Sequence, residues 1–175
     1  VLVDARELHY HSLNKALAVI DESFIINRDE HLAKYDGLPT SKKLTMLTKD
    51  KGLPKELHQR IWQLKQEKTL SLIDDMTYDE RMRGILNALK NQGFSLYCAS
   101  NSVRKTVFRM LLRKGLIEYF DDFISNQDVK NPKPHPEMYW KLMSKHSLRP
   151  TETLIVEDSH TGREAAILSG ATLCA

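Results

Sequence analysis

The alternation of extended and helical patterns after about Tyr78 constrains the fold more than any other feature of the sequence. Short apolar runs at 94–99, 120–124, 153–156 and 171–174 have the length of buried strands, and segments of helical length separate them. Strands that alternate with helices form parallel sheets covered by helices on both faces. The pattern therefore predicts an α/β fold with a Rossmann-like parallel sheet flanked by helices.

The part of the chain before that point has a helical pattern. Apolar residues recur at helical spacing from about Glu7 to Ile73, first in a stripe from Leu8 to Ile20 and later in a long segment after Pro54. Ser41 is a predicted N-cap between them. No strand is predicted in this stretch, so we expect a small α-helical unit beside the sheet.

Composition argues against nucleic-acid and membrane partners. The 26 basic and 23 acidic residues are interspersed and leave a net charge of +3, whereas nucleic-acid binders concentrate basic charge. No apolar run approaches the roughly 20 residues that span a bilayer. Cys98 and Cys174 lie in predicted strands as reduced core thiols, which favours a cytoplasmic location. Trp62 and Trp140, with apolar neighbours at helical spacing, are also predicted to be core residues.

Polar side chains follow three successive predicted strands. Ser100 to Ser102 follow the first strand, Lys133 lies in the loop after the second, and Glu157 and Asp158 follow the third. Ligands of doubly wound sheets bind at the carboxyl ends of the strands. A hydroxyl and helix N-terminal amides can bind phosphate, a lysine adds positive charge, and carboxylates suit Mg²⁺.

Each of these groups also has an ordinary structural explanation. Ser100 to Ser102 could cap the next helix, and Lys133 could stand in a rigid surface loop between two prolines. Glu157 and Asp158 could cap the last helix and complement its dipole. The occurrence of all three groups, each after a predicted strand, favours a phosphate and metal site.

Three sequence runs resemble a known family. The runs LYCASNS, KPHPEMY and LIVEDSHTGREAA are similar to motifs two, three and four of the haloacid dehalogenase superfamily, in the branch of β-phosphoglucomutase and phosphoglycolate phosphatase. The opening VLVDARELHYHSLNKAL resembles the segment that leads into the helical cap of that branch. The resemblance implies a core of residues 1–6 and 74–175 and a cap of residues 7–73.

The resemblance also implies roles for individual residues. It implies phosphate binding by Ser100, Asn101, Ser102 and Lys133, catalytic roles for Ser100 and Lys133, Mg²⁺ binding by Glu157 and Asp158, and substrate contacts from the cap by His9, Gly37 and Lys65. The phosphomutase-like members of the family carry an arginine for a second phosphate three residues after the glycine that Gly37 matches, where this chain has Thr40. That difference puts phosphomutase activity in doubt.

The first motif of the family, Asp-x-Asp-Gly, has no match in the chain. Its first aspartate is the nucleophile that forms an aspartyl phosphate. Asp4 is preceded by three residues only, and Arg6 stands where a second aspartate would be needed. We therefore expect the nucleophile upstream of Val1.

The resulting functional hypothesis is a magnesium-dependent phosphatase that hydrolyses a small phosphorylated metabolite, as a monomer or a weak dimer. Two alternatives stay open. One is a β-phosphoglucomutase-like phosphomutase, and the other is a non-catalytic binding domain that kept this fold.

Overall fold

The computed structural model describes residues 1–3, 5–36 and 38–175. The chain divides into two compact units, one made of Asp4–Asp75 and the other of Val1–Val3 together with Met76–Ala175. The main helices are α1 Ala5–Ile20, α2 Thr40–Lys51, α3 His58–Asp74, α4 Glu80–Asn91, α5 Arg104–Arg113, α6 Glu137–Lys145 and α7 His160–Ser169. The strands are β1 Tyr97–Ala99, β2 Asp122–Ile124, β3 Leu154–Val156 and β4 Thr172–Cys174.

The unit Asp4–Asp75 is helical, as the sequence predicts. Helix α1 packs along α3, and the two helices share an apolar core with α2 and with short helical turns between α1 and α2. The fully buried members include Leu17, Tyr35, Leu47 and Ile61. The prediction of Ser41 as an N-cap is wrong, because α2 begins one residue earlier and Pro39 occupies the cap position without a side-chain hydrogen bond.

The second unit is α/β with parallel strands, and this confirms the predicted fold class. Strand β1 pairs in parallel with β2, with Cys98 opposite Phe123. Strand β3 pairs in parallel with β4, with Ile155 opposite Leu173. Helices connect the strands of each pair, since parallel neighbours require a crossover.

The predicted single sheet is instead two separate two-stranded pairs within the described residues. Helix α6 packs on both pairs, because Met138 and Leu142 lie against Ile124 while Tyr139 and Met143 lie against Ile155. The same helix therefore fixes the ends of β1 and β3 relative to each other.

Several strands and core residues differ from the prediction. Strand β1 starts at Tyr97 rather than Phe94, because the Phe94 amide closes the end of α4 with a 3.1 Å bond to the Leu89 carbonyl. Cys98 is half-buried, but Cys174 is exposed, and both thiols are free. Trp140 is 46% exposed and so is not a core residue. In the part of the chain that the structure describes, no helix is both long and apolar enough to cross a membrane.

Candidate phosphate and metal site

Lys133 reaches from the loop between β2 and α6 to the end of β1. Its side chain is 7% exposed, and its Nζ donates to the Ala99 carbonyl at 3.0 Å and to Glu157 Oε2 at 2.7 Å. The peptide bond between Lys133 and Pro134 is cis. The ammonium thus lies between the carboxyl ends of β1 and β3, rather than in an exposed surface loop.

Asn101 holds the backbone of that loop. Its Nδ2 donates to the Lys133 carbonyl at 2.9 Å, and its Oδ1 accepts from the Lys133 amide at 3.0 Å. This pair of bonds joins residues 32 positions apart and fixes the base of the lysine side chain against the turn after β1.

Ser100 and Ser102 belong to the same turn after β1 as Asn101. The Ser100 amide extends the β1–β2 ladder with a 3.0 Å bond to the Ile124 carbonyl, and Ser100 Oγ accepts from the Ser102 amide at 3.2 Å. The N-cap of α5 is Val103, without a side-chain cap bond. The alternative that these serines cap the next helix is therefore wrong, since neither of them is at the N-cap position.

Glu157 accepts hydrogen bonds at both carboxylate oxygens. Oε2 accepts from Lys133 and from the Tyr139 hydroxyl, the latter at 3.2 Å. Oε1 accepts from the Ser159 amide at 3.2 Å and from its hydroxyl at 2.9 Å. Burial alone would raise the pKa of Glu157, but the adjacent Lys133 ammonium and these hydrogen bonds hold it below its usual value. The carboxylate is therefore ionised at neutral pH.

Asp158 is the more exposed carboxylate of the pair. Its side chain is 65% exposed. The N-cap of α7 is Ser159, so neither predicted metal ligand occupies the cap position.

The donor chemistry suits Mg²⁺ at Asp158 better than at Glu157. Mg²⁺ binds carboxylate oxygens through one or two protein ligands and keeps several waters. Asp158 offers an accessible carboxylate, whereas four hydrogen bonds already fill the acceptor positions of Glu157. Among residues 1–3, 5–36 and 38–175, no three His, Cys, Asp or Glu side chains are grouped to hold a metal ion.

Two residues of this cluster were not predicted from the sequence. Tyr139 lies six positions after Lys133, on the inner face of α6, and places its ring 5.0 Å from the ammonium. Ser159 caps α7 through its hydroxyl while donating to Glu157. A signal for Ser159 was available, since a serine three residues before a helical Gly162 is a typical N-cap.

The predicted cap residues belong to the helical unit. His9 Nδ1 and Lys65 Nζ are 3.2 Å apart, and Gly37 lies outside the described residues. Burial and the nearby Lys65 and Lys43 lower the pKa of His9 to about 3, and burial and Lys43 lower the pKa of Lys65 to about 8. At pH 7 His9 is neutral, so Nδ1 accepts from the lysine and Nε2 carries the proton.

Comparison with known proteins decides the family. A profile of the family described as haloacid dehalogenase-like hydrolase matches residues 1–175. The chain belongs to the haloacid dehalogenase-like hydrolases. The motif resemblance is thereby confirmed, and the match extends over both units.

Relatives within the family include phosphatases. A phosphorylated carbohydrates phosphatase of Thermotoga maritima is 24% identical over 97% of this chain and 77% of its own length. A phosphoglycolate phosphatase of Vibrio vulnificus is 36% identical over 49% of this chain. The chain spans about half or less of the length of several curated relatives that it matches, the Vibrio vulnificus protein included.

Solved structures of other proteins share the fold of this chain. The CbbY protein of Rhodobacter sphaeroides superimposes with a TM-score of 0.83 and 19% identity, covering 97% of this chain and 79% of that protein. A β-phosphoglucomutase from Clostridium difficile gives a TM-score of 0.77 and 20% identity, covering 99% and 78%. At these identities the comparison shows a common fold.

Proposed function

We propose that this haloacid dehalogenase-like hydrolase is a magnesium-dependent phosphatase that acts on a small phosphorylated metabolite. The observation that carries the proposal is the position of the Lys133 ammonium, which bridges the Ala99 carbonyl and Glu157 beside Ser100 and Asp158. A buried cation, a hydroxyl and an accessible carboxylate at neighbouring strand ends match the charges of a phosphate monoester and a divalent metal.

Each residue has a defined task in this proposal. Lys133 neutralises negative charge on the phosphoryl oxygens. Ser100 Oγ accepts through its oxygen and keeps its own proton for donation to a phosphoryl oxygen, while Asn101 and Ser102 hold the turn. Asp158 would bind Mg²⁺ with Glu157 beside it, and the metal would offset repulsion between phosphate and nucleophile.

The nucleophile is the remaining requirement. We propose an aspartate upstream of Val1 that forms an aspartyl phosphate: its carboxylate oxygen bonds to phosphorus while the substrate alcohol leaves with the bonding electrons and takes up a proton. Water then attacks phosphorus, which releases inorganic phosphate and restores the carboxylate. In this proposal Asp158 binds Mg²⁺ and Glu157 pairs with Lys133, so neither carboxylate is the nucleophile.

The helical unit supplies selectivity in this proposal. Lys65 and the 7% exposed Lys43 carry positive charge beside the neutral His9, which favours substrates that are polar or anionic beyond the reacting phosphate. Gly37 keeps its proposed contact with the substrate. Thr40, in place of an arginine, favours hydrolysis over return of the phosphate to a bound intermediate. The two free thiols support a cytoplasmic setting.

A screen of phosphorylated metabolites with the native gene product tests the function. Release of inorganic phosphate is measured with and without Mg²⁺, and product analysis separates phosphate release from isomerisation of a sugar phosphate. Asp158→Asn should sharply reduce the metal-dependent rate, while Glu164→Gln, an exposed carboxylate of the same unit, serves as the matched control. Equal metal-dependent activity of Asp158→Asn and wild type would reject the metal site.

A further inference from the structure

Tyr139 contacts both charged partners of the buried ion pair. Its hydroxyl donates to Glu157 Oε2 at 3.2 Å, and the Lys133 ammonium lies 5.0 Å from the centre of its ring. The residue is 7% exposed and belongs to the apolar cluster around Ile155. Its two ends therefore reach one carboxylate and one cation at once.

A phenylalanine ring at this position would pack equally well, so the contribution of the hydroxyl is its hydrogen bond. A buried hydroxyl needs a hydrogen-bond acceptor, and the acceptor here is the same oxygen that receives the lysine at 2.7 Å. The hydrogen bond from Tyr139, which lies on α6, restricts rotation of the Glu157 carboxylate. The ring face adds attraction for the cation, since an aromatic ring is negative above its plane.

We propose that Tyr139 is a positioning residue that fixes the Lys133 ammonium for phosphate binding, through Glu157 and through its own ring. The proposal rests on the proposed function for the identity of the ligand. It assigns to α6 a part in phosphate recognition, although Tyr139 does not itself contact the phosphate. A purely structural role, in which the hydroxyl merely finds an acceptor in the core, is the alternative to be separated.

Two substitutions divide the two contacts. Tyr139→Phe removes the bond to Glu157 and keeps the ring, whereas Tyr139→Met removes both and keeps most of the volume. Tyr97→Phe, a hydroxyl deletion in the same unit, is the matched control. Affinity for inorganic phosphate is measured by calorimetry with the native gene product, alongside thermal unfolding. This binding measurement does not depend on turnover.

We expect Tyr139→Phe to weaken phosphate binding by about three- to tenfold, the effect of one ordinary net hydrogen bond, because the lost bond acts on the phosphate only through Lys133. Tyr139→Met should weaken it further, and Tyr97→Phe should leave it unchanged. In a Lys133→Met background the Tyr139→Phe change should have less than about a twofold effect, because the group it positions is gone.

Wild-type phosphate affinity in Tyr139→Phe, or the same loss in both backgrounds, would overturn the proposal. If Tyr139→Phe does not fold, the same comparison is made with Tyr139→Met. A wild-type protein that binds phosphate but hydrolyses no monoester would reject the proposed activity and leave the role of Tyr139 still measurable.

Discussion

Gly162 on α7 lies directly against the carboxylate of Glu157. A Cβ atom built on Gly162 would fall 2.0 Å from Glu157 Cδ and 2.3 Å from its Oε2. Real non-bonded carbon atoms do not approach so closely, so the carboxylate occupies space that only glycine leaves open. The glycine of the EDSHTG run is thus required by the position of a side chain, not by an unusual backbone conformation.

Gly162→Ala should displace Glu157 and with it the Lys133 ammonium. We expect a loss of about 1–3 kcal/mol in the free energy of unfolding from overpacking, together with a fall in phosphatase activity. Gly84→Ala is the matched control, because Gly84 is also helical and nothing lies within 4 Å of its Cβ position. That control should stabilise the protein by about 0.4–1 kcal/mol. Equal unfolding midpoints for the two variants would contradict this account.

Lys133→Met should lower both turnover and stability, with the loss of stability depending on pH. Removing one partner of a buried pair costs about 3–5 kcal/mol, and loss of a preorganised charge lowers kcat about 10²-fold or more. The lowered pKa of Glu157 stabilises the wild type above the unfolded value of about 4.3, and this contribution is lost as the pH falls through the folded value.

The difference in unfolding free energy between wild type and Lys133→Met should therefore be large at pH 7 and shrink below about pH 4. Denaturant titrations at the two pH values measure it. A second substitution, Glu157→Gln, should recover stability in the Lys133→Met background without recovering turnover. A difference that is the same at both pH values would show that the two side chains are not coupled.

Asn101→Ala should loosen the loop that carries Lys133. Both hydrogen bonds between the Asn101 amide group and the Lys133 backbone are lost, so we expect kcat/KM to fall by roughly tenfold through misplacement of the ammonium. Asn87→Ala, at an exposed position of α4, controls for the substitution and should change stability by less than about 0.5 kcal/mol. Steady-state kinetics and thermal unfolding are measured for both variants. Unchanged kinetics in Asn101→Ala would show that the hydrogen bonds from Asn101 do not position Lys133.

Lys65→Met should stabilise the protein near neutral pH. Burial lowers the pKa of Lys65 to about 8 from 10.5, so the cost of the buried charge is full below about pH 8 and is relieved as the pH rises toward 10.5. We expect a gain of about 1–3 kcal/mol at pH 7 that shrinks by pH 9.5. Lys49→Met, at an exposed position of α2, is the matched control. Unfolding curves at both pH values test this, and a gain that is equal at the two values would argue against the buried cation.

Local patterns in the sequence predicted most of the fold. Helical periodicity located α1 and α3, and short apolar runs located all four strands to within a few residues. The strand ends were less predictable, because the Phe94 amide joins the turn after α4 and not a ladder. The division of the sheet into two pairs depends on hydrogen bonds between distant segments, which local periodicity does not contain.

The positions of the site residues depend on the same distant contacts. The motifs predicted which residues belong to the site, but the bonds from Lys133 to the Ala99 carbonyl and to Glu157 join residues 34 and 24 positions apart in the chain. The inward orientation of Tyr139 follows from the packing of α6 on both strand pairs. Because its aromatic ring fits an ordinary amphipathic helix, its hydroxyl gave no separate signal in the sequence.

The immobilised state of Lys133 has a consequence for recognition of a ligand. A free lysine side chain carries about 2 kcal/mol of rotamer entropy, which it normally gives up when it grips an anion. Here Ala99, Glu157 and Tyr139 have already removed that freedom during folding. Phosphate binding therefore requires little further loss of side-chain entropy from Lys133, and more of the electrostatic attraction contributes to the binding free energy.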